Sequence, residues 1–136
     1  VMNKQGRPFQ VFTPFYNASK GLPVRKPLPK PALTFSKASS LSVEELDLLP
    51  KVRWDIKMME GWTPGEKGAE ARVKRFSAED YKHNRDLPAL EGGVSKLSPH
   101  LHFGEISPFQ VWNGFTAEPY LRQLYWREFA HYLLYH

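Results

Sequence analysis

Pro23, Pro27, Pro29 and Pro31, joined by Gly21 and several Lys and Ser, crowd the stretch from residue 17 to residue 40. Proline fixes φ and has no amide hydrogen, so at alternate positions it forbids both a helix interior and a central strand. These residues divide the chain. Residues 17–48 read as an interdomain linker draped over a surface, 1–16 as the end of a preceding domain or the start of the linker, and 49–136 as the body. Ahead of the linker, Pro8-Phe-Gln-Val-Phe-Thr-Pro-Phe-Tyr16 alternates like a β-strand interrupted by proline, which predicts an edge strand or an extended segment leaving a sheet.

The body is predicted to be mostly α-helical. Ser42-Val-Glu-Glu45 matches a capping box and introduces a short helix ending near Leu49-Pro50. A second helix is expected from Thr63-Pro64-Gly65-Glu66, with Thr63 as cap and Pro64 at the first helical position, running to about Phe76 with Ala69, Val73 and Phe76 on one face. Ser77 and Asp80 suggest a brief helix from Tyr81 to about Arg85, and residues 86–98 a loop containing Gly92-Gly93. Ser107-Pro108 opens a helix to about Phe115, and Glu118-Pro119 opens the last one. Residues 120–135 are apolar around most of the helical circumference, so that helix is expected to be buried on nearly all sides.

There is no cysteine, which excludes disulfides and thiolate metal sites, and the five histidines lack ligand spacing. His100 and His102, in Pro-His-Leu-His, have no third ligand nearby and read as packing or surface residues. His131 and His136 receive no role, and no metal site is expected. No apolar run reaches the 18 residues of a membrane span, and no export signal is visible. The net charge of +5 is uneven: residues 1–43 carry seven Lys/Arg and no Asp/Glu, and the remainder carries 12 basic and 14 acidic residues. A basic stretch can attract phosphate by counterion release, though a solvated basic linker is the plainer reading. The opening Val1-Met2-Asn3 and a last residue, His136, inside a helix-patterned run give the expectation of an internal piece of a longer chain.

Four segments occur in fixed order: Gly61-Trp-Thr-Pro-Gly-Glu66, Tyr81-Lys-His-Asn-Arg-Asp-Leu-Pro88, Ser95-Lys-Leu-Ser-Pro-His-Leu-His-Phe-Gly-Glu-Ile-Ser-Pro108 and Trp126-Arg-Glu-Phe129. Together they resemble the photolyase/cryptochrome family, and Gly6-Arg-Pro-Phe-Gln-Val-Phe-Thr-Pro-Phe15 resembles that family's exit from its N-terminal antenna domain. The resemblance implies an α/β antenna domain before this chain, an extended linker, and here the first portion of a helical FAD-binding domain. It implies FAD as cofactor, and a second pigment, folate or deazaflavin, in the antenna domain.

The loop Val94, Ser95, Lys96, Leu97 and Ser98 follows a glycine pair and is rich in hydroxyl and backbone N–H groups, which can hold a pyrophosphate. It resembles the family's flavin-phosphate loop. Threonine is usual where Val94 stands, so one hydroxyl bond of order 1 kcal/mol is missing. An ordinary Gly-Ser turn is the alternative. By the same resemblance Tyr81 contacts the flavin phosphates, Tyr120 lines the flavin pocket where Trp or Phe is usual, and Arg127 contacts the flavin. Arg85, four residues after Tyr81 and so on the same helical face, matches a residue that contacts lesion DNA. The plainer reading is a core tyrosine beside a surface arginine paired with Asp86. Trp126 matches the tryptophan that stacks on the flipped-out lesion, although a tryptophan in an apolar helix is otherwise core. Gln123 stands where dimer-specific enzymes commonly carry Glu, and its amide can hydrogen-bond but supplies no proton.

The expected activity is light-driven, FAD-dependent repair of cyclobutane pyrimidine dimers by photoinduced electron transfer, with Trp126 and Gln123 as catalytic residues and Arg85, Gln123 and Trp126 on the DNA. Two alternatives stay open: a cryptochrome photoreceptor, and a (6-4) photolyase, which needs an acid-base histidine near the lesion. The partner expected is UV-damaged DNA, with no membrane and a monomeric full-length protein. The 136 residues alone are expected to be inactive and not to retain FAD.

Overall fold

The computed structural model describes every residue except Lys37 and Val43. Lys37 is one of the seven basic residues of the stretch 1–43 and Val43 lies inside the expected capping box; both fall outside the described residues. The described residues form seven α-helices and no strand: α1 (Phe12–Ser19), α2 (Asp55–Met59), α3 (Glu66–Arg75), α4 (Tyr81–Asn84), α5 (Ser98–His102), α6 (Pro108–Gly114) and α7 (Glu118–Tyr135). The helical class follows the sequence. None of these helices is long and apolar enough to cross a membrane.

α7 is the spine, and α1, α4 and α6 pack against it. It opens as expected, with Glu118 and Pro119 in the first turn. One side meets a core of Ala69, Ala78, Tyr81, Leu97, Ile106 and Val111, into which it puts Tyr120 and Leu124. Another side meets α1 through an aromatic cluster of Phe12, Phe15 and Phe129. The described residues do not enclose α7 on all sides: Leu134 and Tyr135 are 86% and 85% exposed. Packing reaches along α7 as far as Tyr132, and Leu133, Leu134 and Tyr135 are exposed.

Residues 8–16 are not a strand. Val11 is extended, and the helix starts at Phe12 with Pro14 near its beginning, where the missing N–H belongs to a donor the first turn leaves unbonded. Phe12, Phe15 and Ser19 are buried on one face, a spacing of three and four, while Val11 is 62% exposed. Packing against α7 decides this stretch over its local alternation. Tyr132 reinforces the contact by accepting the Phe9 N–H at 2.9 Å.

From Leu22 to Leu41 the described residues hold no regular element, as the prolines require. The guanidinium of Arg25 lies 3.9 Å from the centre of the Phe109 ring and fastens this stretch to α6. The Ser42/Glu45 capping box forms, with N–H donations at 2.6 and 3.2 Å, yet it introduces only a 3-10 turn, Glu44–Leu46. α2 has no counterpart among the expected helices; it buries no residue. α3 begins at Glu66 rather than at Thr63: Gly65, at φ 87°, is the N-terminal flanking residue, and Thr63 caps nothing. The turn at 63–65 folds back over the helix, so that a Cβ on Gly68 would collide with the Thr63 carbonyl. α6 carries a complete capping box, Gln110 N–H to Ser107 Oγ at 3.2 Å and Ser107 N–H to Gln110 Oε1 at 2.8 Å.

Candidate functional site

Tyr120, Gln123, Leu124, Arg127 and His131 follow one another at helical spacing and form a single stripe along α7. That stripe is one wall of a cavity of about 840 Å³. The loop Val94–Ser98, continued by Leu101 and His102 of α5, is the second wall, and Tyr81 of α4 completes the lining. The volume lies within the range of small-molecule pockets. Lys96 and Arg127 supply positive charge and the lining includes no carboxylate, so the field favours an anion.

The loop is turned inward by its backbone. Lys96 takes the left-handed conformation, φ 53°, and Ser95 Oγ accepts the Leu97 N–H at 3.4 Å. Leu97, 1% exposed, plugs into the core behind the loop, while Val94 remains 42% exposed on the cavity side. Tyr81 and Tyr120 meet edge to face, ring centres 5.1 Å apart. Burial pushes both phenols above their ordinary pKa; Ser95 partly opposes this at Tyr120 and Arg85 at Tyr81. Both therefore stay protonated near neutral pH and offer a hydroxyl to a ligand. Gln123 donates its amide N–H to the Pro119 carbonyl of its own helix at 3.2 Å. Arg127 meets Glu128 at 2.7 Å.

Thus the cavity gathers Tyr81, Val94, Ser95, Lys96, Leu97, Ser98, Tyr120, Gln123 and Arg127. Trp126 and Arg85 are not among its lining residues. Trp126 is rotated about 100° from Arg127 around α7, and the Phe12 ring lies parallel to its indole, centres 3.6 Å apart. It remains 47% exposed. Arg85 sits beside Tyr81 with its guanidinium 5.6 Å from the ring and 3.6 Å from the Asp86 carboxylate, which is the plainer of the two readings of its sequence.

Three histidines carry more than their spacing suggested. His102 and His131 both line the cavity. Continuing the stripe from Tyr120 by eleven residues reaches His131, so the signal was present in the helical period. His100 is 2% exposed, with Nδ1 2.5 Å from Glu105 Oε2. Nothing in Pro-His-Leu-His separates the buried imidazole from the lining one, because that depends on the direction of a five-residue helix.

No protein-family model matches the chain. Among curated proteins, the deoxyribodipyrimidine photo-lyase of Agrobacterium fabrum is 34% identical across 100% of this chain and 32% of its own length. That of Escherichia coli is 33% identical across 100% and 32%, and that of one strain of Thermus thermophilus is 34% identical across 96% and 30%. The chain thus spans about a third of the length of the curated relatives it matches. The crystal structure of a bacterial class III photolyase from Agrobacterium tumefaciens superposes with a TM-score of 0.85 at 35% identity, over 100% of this chain and 32% of that one. With agreement from end to end in both sequence and helix arrangement, the chain belongs to the DNA photolyase/cryptochrome family.

Proposed function

We propose that this chain supplies one side of the FAD site of an enzyme that repairs cyclobutane pyrimidine dimers in DNA under light. Residues 49–136 are then the first portion of the flavin domain, reached from an antenna domain through residues 1–16 and the linker 17–48. The observation that carries the reading is the cavity itself: every residue assigned to the flavin by family resemblance lines it. The donor set suits the ligand. The backbone and hydroxyls of Val94–Ser98 with Lys96 suit a pyrophosphate, Arg127 adds a second cation, and the Tyr81 and Tyr120 hydroxyls add donors. When bound, FAD supplies the light-driven transfer of one electron to the dimer and its recovery after the cyclobutane bonds open.

The protein's own part is positioning and electrostatics. Gln123, in the cavity wall, is placed to hydrogen-bond an extruded dimer through its neutral amide. Trp126 has one indole face against Phe12, so base stacking would use the other face, and one face suffices for about 1 to 3 kcal/mol per base. Arg85 is exposed and available to a phosphate backbone. The partner is UV-damaged DNA, bound by a monomer without sequence readout.

A second reading has an observation of its own. His102 and His131 place two imidazoles in the cavity wall, the acid-base groups that a (6-4) enzyme requires. A light-dependent assay on the flavin-loaded protein that carries this chain, with oligomers bearing either lesion, separates the readings. Restoration of the cyclobutane dimer alone is the expected outcome. Restoration of the (6-4) product that is lost in the His102→Ala and His131→Ala variants would replace it with the second reading, and repair of neither would point to a photoreceptor.

A further inference from the structure

The loop Val94–Ser98 has little of its own to hold its shape. It separates the cavity from a second recess of about 580 Å³ lined by Arg72 and Arg75 on its other side. It runs into α5, whose five residues are too few to be a stable helix without tertiary support. Before the loop, Gly93 lies so close to the Asn84 carbonyl that a Cβ would come within 2.8 Å of it. Two residues beyond the loop, in α5, is the buried His100.

His100 is joined to Glu105 twice. Its Nδ1 lies against Oε2, and its carbonyl accepts the Glu105 N–H at 2.8 Å. The ring closes through Gly104, whose φ of 72° makes the reversal possible. Trp62, whose ring lies 4.4 Å from the Arg72 guanidinium of α3, is 6.5 Å from the imidazole, ring centre to ring centre. The other imidazole nitrogen, Nε2, is buried and has no hydrogen-bond partner among the described residues. Neither His100 nor Glu105 lines the cavity. With His100 buried and Glu105 half-exposed, the pair adds little stability of its own, but it fixes one orientation of the imidazole.

We propose that His100 and Glu105 are positioning residues: set against Trp62, they hold α5, and with it the cavity loop Val94–Ser98 that leads into it, to α3, and so set how tightly the cavity holds the phosphate-bearing part of its ligand. Where the ligand is concerned, this rests on the flavin reading; where the loop is concerned, it does not.

The test compares His100→Leu and Glu105→Gln with His100→Asn, whose amide nitrogen falls where Nδ1 stands. Two quantities are read in the protein that carries this chain: FAD affinity by fluorescence, and amide hydrogen exchange after the flavin is removed. His100→Leu and Glu105→Gln should weaken FAD binding about tenfold to a hundredfold. They should speed exchange at residues 97–101 while α7 stays protected, and His100→Asn should recover much of both. Unchanged exchange and affinity overturns the proposal, as does exchange that rises equally along α7, since the pair would then be a general stabiliser. If the unmodified protein takes up no FAD but the loop alone loosens in the variants, the positioning role stands and the cofactor reading falls.

Discussion

Two sides of one helix carry opposite kinds of chemistry. Toward the cavity α7 presents Tyr120, Gln123, Arg127 and His131, polar groups around open space. Toward α1 it presents Phe129 to Phe12 and Phe15, with ring centres 5.8 and 5.1 Å apart and nothing polar between them. Trp126 and Arg127, adjacent in sequence, fall on different sides of this division. Phe129 on one side and Arg127 on the other are the extremes of this division, so substitutions at these two positions should separate into a loss of folding and a loss of binding.

The largest effect is expected from Phe129→Ala. Phe129 is 5% exposed, and removing such a ring from a packed site costs about 3 to 5 kcal/mol, measured by urea unfolding. Ligand affinity in the fraction that remains folded should be little changed. A loss below about 1 kcal/mol would mean that α1 is not fastened by this cluster. Arg127→Ala should do the reverse: stability within about 0.5 kcal/mol, and FAD affinity lower by about tenfold or more. Equal effects of the two variants on unfolding would erase the distinction between the faces.

The division was only half legible in the sequence. Local signals gave the helices that local chemistry starts: Ser107-Pro108 and Glu118-Pro119 open α6 and α7 where they should. α1 was hidden because Phe9, Val11 and Phe15 alternate like a strand, and only a partner more than 100 residues away reveals the three-four spacing of Phe12, Phe15 and Ser19. The start of α3 was misplaced because Thr63-Pro64 imitates a cap where the chain in fact doubles back over Gly68. Motif order singles out the loop 94–98 and the residues Tyr81, Tyr120, Gln123 and Arg127, which line one cavity. Trp126, assigned to the lesion rather than to the flavin, falls outside that lining because a helix separates chain neighbours by about 100°. His100 is the packing residue its context suggests, but its bond to Glu105 depends on the turn at Gly104.

A smaller effect should distinguish the cavity's backing from the aromatic face by pH. The Gly65 N–H, and then His100, hold the ionised Glu105 carboxyl below the usual carboxylate range. A depressed folded pKa contributes stability that is present above the unfolded value, about 4.3, and lost as pH falls through the folded one. Glu105→Gln should therefore flatten part of the acid limb of thermal stability, whereas Phe129→Ala should lower the curve without changing its acid slope. An acid limb identical in Glu105→Gln and the parent would remove Glu105 from the account.

The smallest effect belongs to the edge where the two faces meet. Tyr16 of α1 donates its hydroxyl to Glu118 Oε1 at 2.6 Å, tying α1 to the first turn of α7. That bond, with a lesser contribution from burial, raises the phenol above its ordinary pKa. A raised folded pKa stabilises the fold below the unfolded value, about 10, and that contribution disappears as pH climbs through the folded one. Tyr16→Phe should thus cost a little stability at neutral pH and nothing further in strong alkali, where the parent also lacks the bond. Tyr16 is half-buried, but its bond to Glu118 lies at an exposed edge, so solvent screens the interaction and the packed phenylalanines carry most of the docking. If Tyr16→Phe instead releases α1 at neutral pH, seen as rapid exchange from Phe12 to Ser19, the polar tie rather than the aromatic cluster holds that side of α7.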